Sequence, residues 1–137
     1  MSNTYFQFKQ FRIDQDQSAM KVATDACILG AATPAPADGA ILDIGTGTGL
    51  LSLMIAQKCS GRIDAVELDE GSFHQATSNV QNSLWKDRIN VIHSDVRTFH
   101  PNKKYDLIIC NPPFFENHFK SPFLQKNKAK HAVQLSY

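Results

Sequence analysis

Directly after a short apolar run the chain reads Asp43-Ile44-Gly45-Thr46-Gly47-Thr48-Gly49. Glycines at this spacing let the backbone turn tightly and let a ligand approach its peptide groups closely. Two common nucleotide motifs are excluded. A dinucleotide fingerprint starting at Gly45 would need its last small residue at Leu50, and one starting at Gly47 would need it at Ser52. No Gly-Lys-Ser/Thr follows, so the turn is not a phosphate-binding P-loop. An acidic residue ~20 positions beyond such a turn is placed to accept hydrogen bonds from ribose hydroxyls. Glu67 stands there and is assigned to the ribose of a cofactor. The neighbouring acids Asp69 and Glu70 suit the plainer role of capping the next helix.

The Asp-x-Gly-x-Gly-x-Gly spacing resembles motif I of class I methyltransferases, which implies S-adenosyl-L-methionine as cofactor and Asp43, Gly45, Gly47 and Gly49 as residues that hold it. By the same resemblance Asp95 would accept from the adenine amino group, with Val96 packing on the ring. A turn-forming aspartate is the plainer reading of Asp95. Asn111-Pro112-Pro113-Phe114 resembles motif IV of amino methyltransferases. An exocyclic amine is a poor nucleophile, because its lone pair is delocalised into the ring. The Asn111 side-chain oxygen and the Pro112 carbonyl can accept its two N–H groups, which orients the nitrogen and returns electron density to it. The prolines hold both acceptors in place, and Phe114 can stack on a flipped-out base. Asn111, Pro112 and Phe114 are therefore the candidate catalytic residues, and Asn111 also borders the cofactor.

These residues need a scaffold that brings strand ends together. The apolar run Ala40–Ile44 reads as a buried parallel strand, followed by a helix over Leu50–Lys58. Strands are expected at Ile63–Leu68, Ile89–His93 and Tyr105–Cys110, with a helix carrying Phe73, Ala76, Thr77, Val80 and Leu84 on one face. A short helix over Asp25–Thr33 is ended by Pro34 and Pro36. Met1–Asp14, with alternating aromatics, reads as a strand or an extended arm. Alternating strands and helices give an α/β class: a Rossmann-like parallel sheet with flanking helices. In such sheets ligands bind at the carboxyl ends of the strands.

Composition narrows the rest. The chain has 137 residues, 42% of them hydrophobic, enough for one packed domain. A net charge of +1 demands neither a nucleic-acid nor a membrane partner. Three widely spaced cysteines, Cys27, Cys59 and Cys110, form no CxxC and suggest a reducing cytoplasm. No histidine–cysteine spacing suits a metal, and no apolar run suggests a signal peptide or membrane span.

Two N-terminal segments sharpen the assignment. Phe6-Gln7-Phe8-Lys9-Gln10-Phe11 and Met20-Lys21-Val22-Ala23-Thr24-Asp25 precede Ile28-Leu29-Gly30-Ala31. With the two motifs above, they resemble the bacterial tRNA(Val) adenine-N6 methyltransferase family, which modifies the adenosine beside the anticodon. The resemblance implies a cytoplasmic enzyme acting on tRNA. It also implies an N-terminal arm and cofactor-covering segment over 1–38, with Lys21 and Thr24 at the cofactor, and a cofactor-binding core over 39–137. Thr24 and Asp25 suit simple helix capping equally. Phe6, Phe8 and Phe11 are read as stacking on RNA or as packing, and Lys9, Arg12 and Lys21 as phosphate contacts or solvated cations. Lys126, Lys128, Lys130 and His131 read as a basic loop.

Class I methyltransferases have seven strands, whereas only four are legible here. The fold is thus expected to be truncated after the fourth strand, whose apolar edge would invite self-association. Other readings remain: DNA adenine methylation, protein glutamine N-methylation, and a non-catalytic cofactor-binding fragment.

Overall fold

A computed structural model describes residues 4–17 and 24–111. The elements run β1 (Tyr5–Gln7), β2 (Arg12–Asp14), α1 (Thr24–Ala32), β3 (Ala40–Ile44), α2 (Leu50–Ala56), β4 (Arg62–Glu67), α3 (Glu70–Gln81), β5 (Ile89–His93), a 3-10 turn at Val96–Thr98, and β6 (Leu107–Cys110). β3 to β6 form one parallel sheet in the order β5-β4-β3-β6. This is the expected α/β class, a Rossmann-like sheet with flanking helices. The fourth parallel strand lies beside the first, at the edge of the sheet among the described residues.

Strand side chains alternate between two faces. Ile41, Ile63, Ala65 and Ile109 join Leu53, Ile55 and Val80 from the helices in one buried cluster. Leu42, Ile44 and Val66 face the other way, against half-buried Ile92, Val96, Phe99 and Ile108. No helix among the described residues covers that second face. The N-terminal residues are part of the first cluster, because Phe11, Ile13 and Ala26 are buried in it.

The aromatic N-terminus folds as an antiparallel hairpin, with Tyr5 opposite Asp14 and Gln7 opposite Arg12. Phe8 stacks on Phe11 at 4.7 Å, and Phe11 meets the edge of Trp85. Of the expected aromatic series, Phe8 and Phe11 therefore pack inward, while Tyr5 and Phe6 stay exposed.

Several boundaries shift for local reasons. β6 begins at Leu107 and not at Tyr105. The Asp106 carboxylate accepts from the Ala40 amide, and the Tyr105 hydroxyl donates to Asp64. α3 ends at Gln81, and the Ser83 hydroxyl donates to the Val80 carbonyl, so the chain turns away. Leu84, expected on the apolar face, is consequently 80% exposed. The buried face of α3 is instead Ser72, Gln75, Ala76, Asn79 and Val80, at helical spacing but mostly polar.

α1 ends without a basic residue of its own. Lys58, beyond α2, supplies the charge: its Nζ donates to the carbonyls of Gly30 (2.6 Å), Ala31 (2.9 Å) and Thr33 (2.9 Å). A cation suits the negative end of a helix. Lys58→Met is expected to destabilise the chain by about 1–3 kcal/mol in urea unfolding, as loss of charge-assisted bonds predicts. A change within about 0.5 kcal/mol would mean that water replaces the ammonium without penalty.

Candidate functional site

The parallel register sets the level at which residues leave the sheet. Ile44 pairs with both Val66 and Cys110, and Glu67 pairs with His93. The turn after β3, the end of β4, the segment after β5 and Asn111 after β6 therefore share one end of the sheet. Gly45, Gly47, Glu67, Asp95 and Asn111 are brought to this end as expected from their places after the strands.

The turn is built on left-handed backbone at Gly45 (φ 69°), Gly47 (φ 58°) and Gly49 (φ 90°). Side chains are strained in this region. A Cβ added at Gly45 or Gly47 would meet nothing within 4 Å, so these glycines face open space and leave room for a ligand. Gly49 is different: it caps α2, and a Cβ there would touch Ala76 of α3.

The acceptors for the turn come from β4. The Val66 carbonyl accepts from the amides of Gly45 (2.8 Å) and Thr46 (3.1 Å). Glu67 Oε1 accepts from the Gly47 amide (2.7 Å), and Oε2 from the Asp69 amide (2.9 Å). Each carboxylate oxygen keeps a second lone-pair direction for a hydroxyl donor. Asp69 itself caps α3 through the Ser72 amide, and these bonds hold its carboxyl below the usual range.

Asp43 lies beneath the turn and is fully buried. Its Oδ2 accepts from the hydroxyls of Thr46 and Ser52, both at 2.7 Å, so it acts on the turn through those residues. Its Oδ1 is buried without a hydrogen-bond partner among the described residues. Desolvation pushes the carboxyl up to about 6, against the two hydroxyls that favour the charged form, and the Glu67 charge adds to the rise. The thiol of Cys110 is pushed up to about 11, first by burial and then by the charge of Asp43.

Asp95 ends the loop after β5. Its carboxylate accepts from the Arg97 amide (2.9 Å) and from the Arg97 guanidinium (2.6 Å at the shortest), which holds it below the usual carboxylate range. Val96 is half-buried against the cluster around Ile44. Asn111 is half-buried immediately beyond β6. Thr24 is the first residue of α1. Lys21, Pro112 and Phe114 lie outside the described residues, as do Lys126, Lys128, Lys130 and His131.

Three contributors escaped the sequence reading. Thr46 and Ser52 hold Asp43, and nothing in their spacing marks them. Leu68, directly after Glu67, is 60% exposed and offers an apolar surface beside the acid; its position after an acidic strand end was the available signal. No group of three or more His, Cys, Asp or Glu among the described residues could hold a metal ion. None of their helices is long and apolar enough to cross a membrane.

Residues 17–135 match the methyltransferase small domain family. A protein from Dyadobacter fermentans named tRNA1(Val) (adenine(37)-N6)-methyltransferase is 52% identical over 98% of this chain and 57% of its own length. One of the same name from Bacteroides fragilis is 47% identical over 100% of this chain and 59% of its own length. The chain thus spans less than two thirds of these relatives. Among solved structures, Pyrococcus horikoshii TYW2 in complex with MeSAdo superimposes with a TM-score of 0.66 at 23% identity, over 78% of this chain and 42% of that one. That likeness is one of fold.

Burial of Asp43 carries a pH signature. Between the ordinary value of 3.8 and about 6, the folded chain keeps a proton that the unfolded chain has released. Stability is therefore lost as pH rises through this window and stays lost above it. Asp43→Asn removes the titration. Its unfolding free energy relative to the unsubstituted chain is expected to improve by about 2–3 kcal/mol between pH 4 and pH 7. A difference that does not change with pH would show that Asp43 ionises normally.

Proposed function

Because the chain belongs to the methyltransferase small domain family, we propose that it binds S-adenosylmethionine at the carboxyl ends of β3, β4 and β5. We further propose that it takes part in methylating the exocyclic N6 of adenosine in tRNA, at the adenosine beside the anticodon of tRNA(Val). The observation that carries the substrate is the 52% identity, over nearly the whole chain, to a protein named for that reaction. The open side of Gly45 and Gly47, with Glu67 beside it, supports the cofactor.

In this reading Glu67 uses its remaining lone pairs on the ribose hydroxyls while still holding Gly47. Asp95 accepts from the adenine amino group, and Val96 with Leu68 packs on the ring. Lys21 and Thr24 belong to the segment that covers the cofactor. Asp43 acts from below by fixing Thr46 and Ser52. S-adenosylmethionine supplies an electrophilic methyl group on a sulfonium. The Asn111 oxygen and the Pro112 carbonyl accept the two N–H groups of the target amine, turning its lone pair out of conjugation. Phe114 stacks on the base. The amine loses its proton only as the new N–C bond forms, so no strong base is needed. A tRNA substrate and three unpaired cysteines together favour the cytoplasm.

The test is methyl transfer from labelled cofactor to bulk tRNA, DNA and a glutamine-bearing protein. Label in tRNA adenosine is expected. Label in DNA adenine or glutamine amide instead would transfer the reading to those substrates, and no transfer would leave cofactor binding alone. Asn111→Ala should slow single-turnover transfer about 10²-fold with cofactor affinity nearly intact. A wild-type rate would reduce Asn111 to a turn residue. Glu67→Ala should weaken cofactor binding by about 1–3 kcal/mol in calorimetry, and unchanged affinity would remove Glu67 from the site.

A further inference from the structure

Asn79 lies on the buried face of α3 and is 1% exposed. A buried primary amide is costly unless its donors and acceptor are used. Here all of its partners are backbone groups. Oδ1 accepts from the Asp14 amide at 2.9 Å, and Nδ2 donates to the Asp14 carbonyl at 2.8 Å. The second Nδ2 bond runs to the Thr48 carbonyl, also at 2.8 Å. One side chain therefore joins the N-terminal hairpin to the turn between β3 and α2.

The Thr48 bond falls where the turn is least determined by its own residues. Thr48 lies between Gly47 and Gly49, both in left-handed backbone and both without a Cβ to restrict them. Its carbonyl precedes the α2 ladder, whose first bond runs from the Leu53 amide to the Gly49 carbonyl. On the other side of the same peptide, the Gly49 amide donates to the Thr46 carbonyl at 2.9 Å. Rotating that peptide would break both bonds and so open the Thr46–Gly49 turn that encloses the Gly47 amide held by Glu67. An apolar residue at 79 would fill the space but leave the buried Thr48 carbonyl and the half-buried Asp14 amide and carbonyl without this partner.

We propose that Asn79 is a positioning residue for the cofactor turn. By fixing the Thr48–Gly49 peptide it keeps the open side of Gly45 and Gly47 in its binding shape, and it ties that shape to the docking of the β1–β2 hairpin. The proposal rests on the reading of this turn as the S-adenosylmethionine site.

Calorimetry of S-adenosylmethionine binding to the full chain tests it, with thermal unfolding measured in parallel. Asn79→Ala should raise Kd about tenfold or more, the loss expected when a buried acceptor, the Thr48 carbonyl, is left without its donor. Asn79→Asp should be at least as weak: it keeps the acceptor for Asp14 but sets a carboxylate against two carbonyls. Val80→Ala, one residue along the same buried face, should lower Tm comparably while leaving Kd within about twofold. In the unsubstituted chain the Asn79 side-chain NH2 signals should exchange slowly and shift together with the Gly47 and Gly49 amides on adding cofactor, which serves if the Asn79 variants do not fold. No binding by the unsubstituted chain would remove the cofactor reading itself. Binding by the unsubstituted chain with equal affinity in the Asn79 variants, or an Asn79 signal that does not respond to cofactor, would overturn the proposal.

Discussion

The turn after β3 leaves successive backbone amides pointing away from its own strand, and each needs an acceptor. The last two residues of β4 provide them: the Val66 carbonyl takes Gly45 and Thr46, and the Glu67 carboxylate takes Gly47. This arrangement exists only in the register that pairs Ile44 with Val66. A slip of one residue would turn Glu67 to the opposite face and carry Val66 out of its cluster. The apolar pattern that sets the register thus also places the polar groups at the strand ends. Methyltransferase small domain chemistry, as proposed for this chain, begins from that coincidence.

The two central strands each bury a carboxylate, and the sheet treats them differently. Asp64 faces the side without a described helix, where the Tyr105 hydroxyl and the Lys103 ammonium meet its Oδ2 at 2.7 and 3.1 Å. Burial and the Asp64 charge push the Tyr105 hydroxyl well above its ordinary range. Asp43 faces the helix-covered side and has hydroxyls in place of a cation, so its negative charge is poorly compensated.

Legibility tracked how local each signal was. The strands Ala40–Ile44 and Ile89–His93 were read with the observed bounds, because an uninterrupted apolar run ending in a turn needs little tertiary help. The placement of Asp43, Glu67, Asp95 and Asn111 at one end followed from the sheet rule alone. The start of β6 was misplaced because Tyr105 and Asp106 have strand-like neighbours but use their side chains on Asp64 and Ala40. The N-terminal residues fit a strand or an arm equally from sequence alone, since the hairpin docks on partners as distant as Asn79 and Trp85. The polar face of α3 was invisible for the same reason. Gln75 and Asn79 are buried on α3 and bond the backbone of Gln17, Asp14 and Thr48, and hydrophobic periodicity is blind to such residues.

That long reach from Asp14 to Asn79 also orders events during synthesis. The segment that becomes the hairpin, with Phe8, Phe11 and Ile13, leaves the ribosome before the helix that anchors it is made. At ~5–20 residues per second, the 65 residues between Asp14 and Asn79 follow over roughly 3–13 s. Throughout that interval the aromatic segment lacks the face of α3 and the Trp85 ring that it packs against. The nascent chain therefore carries an adhesive aromatic segment during that time, and the hairpin should be among the last parts of the described fold to settle.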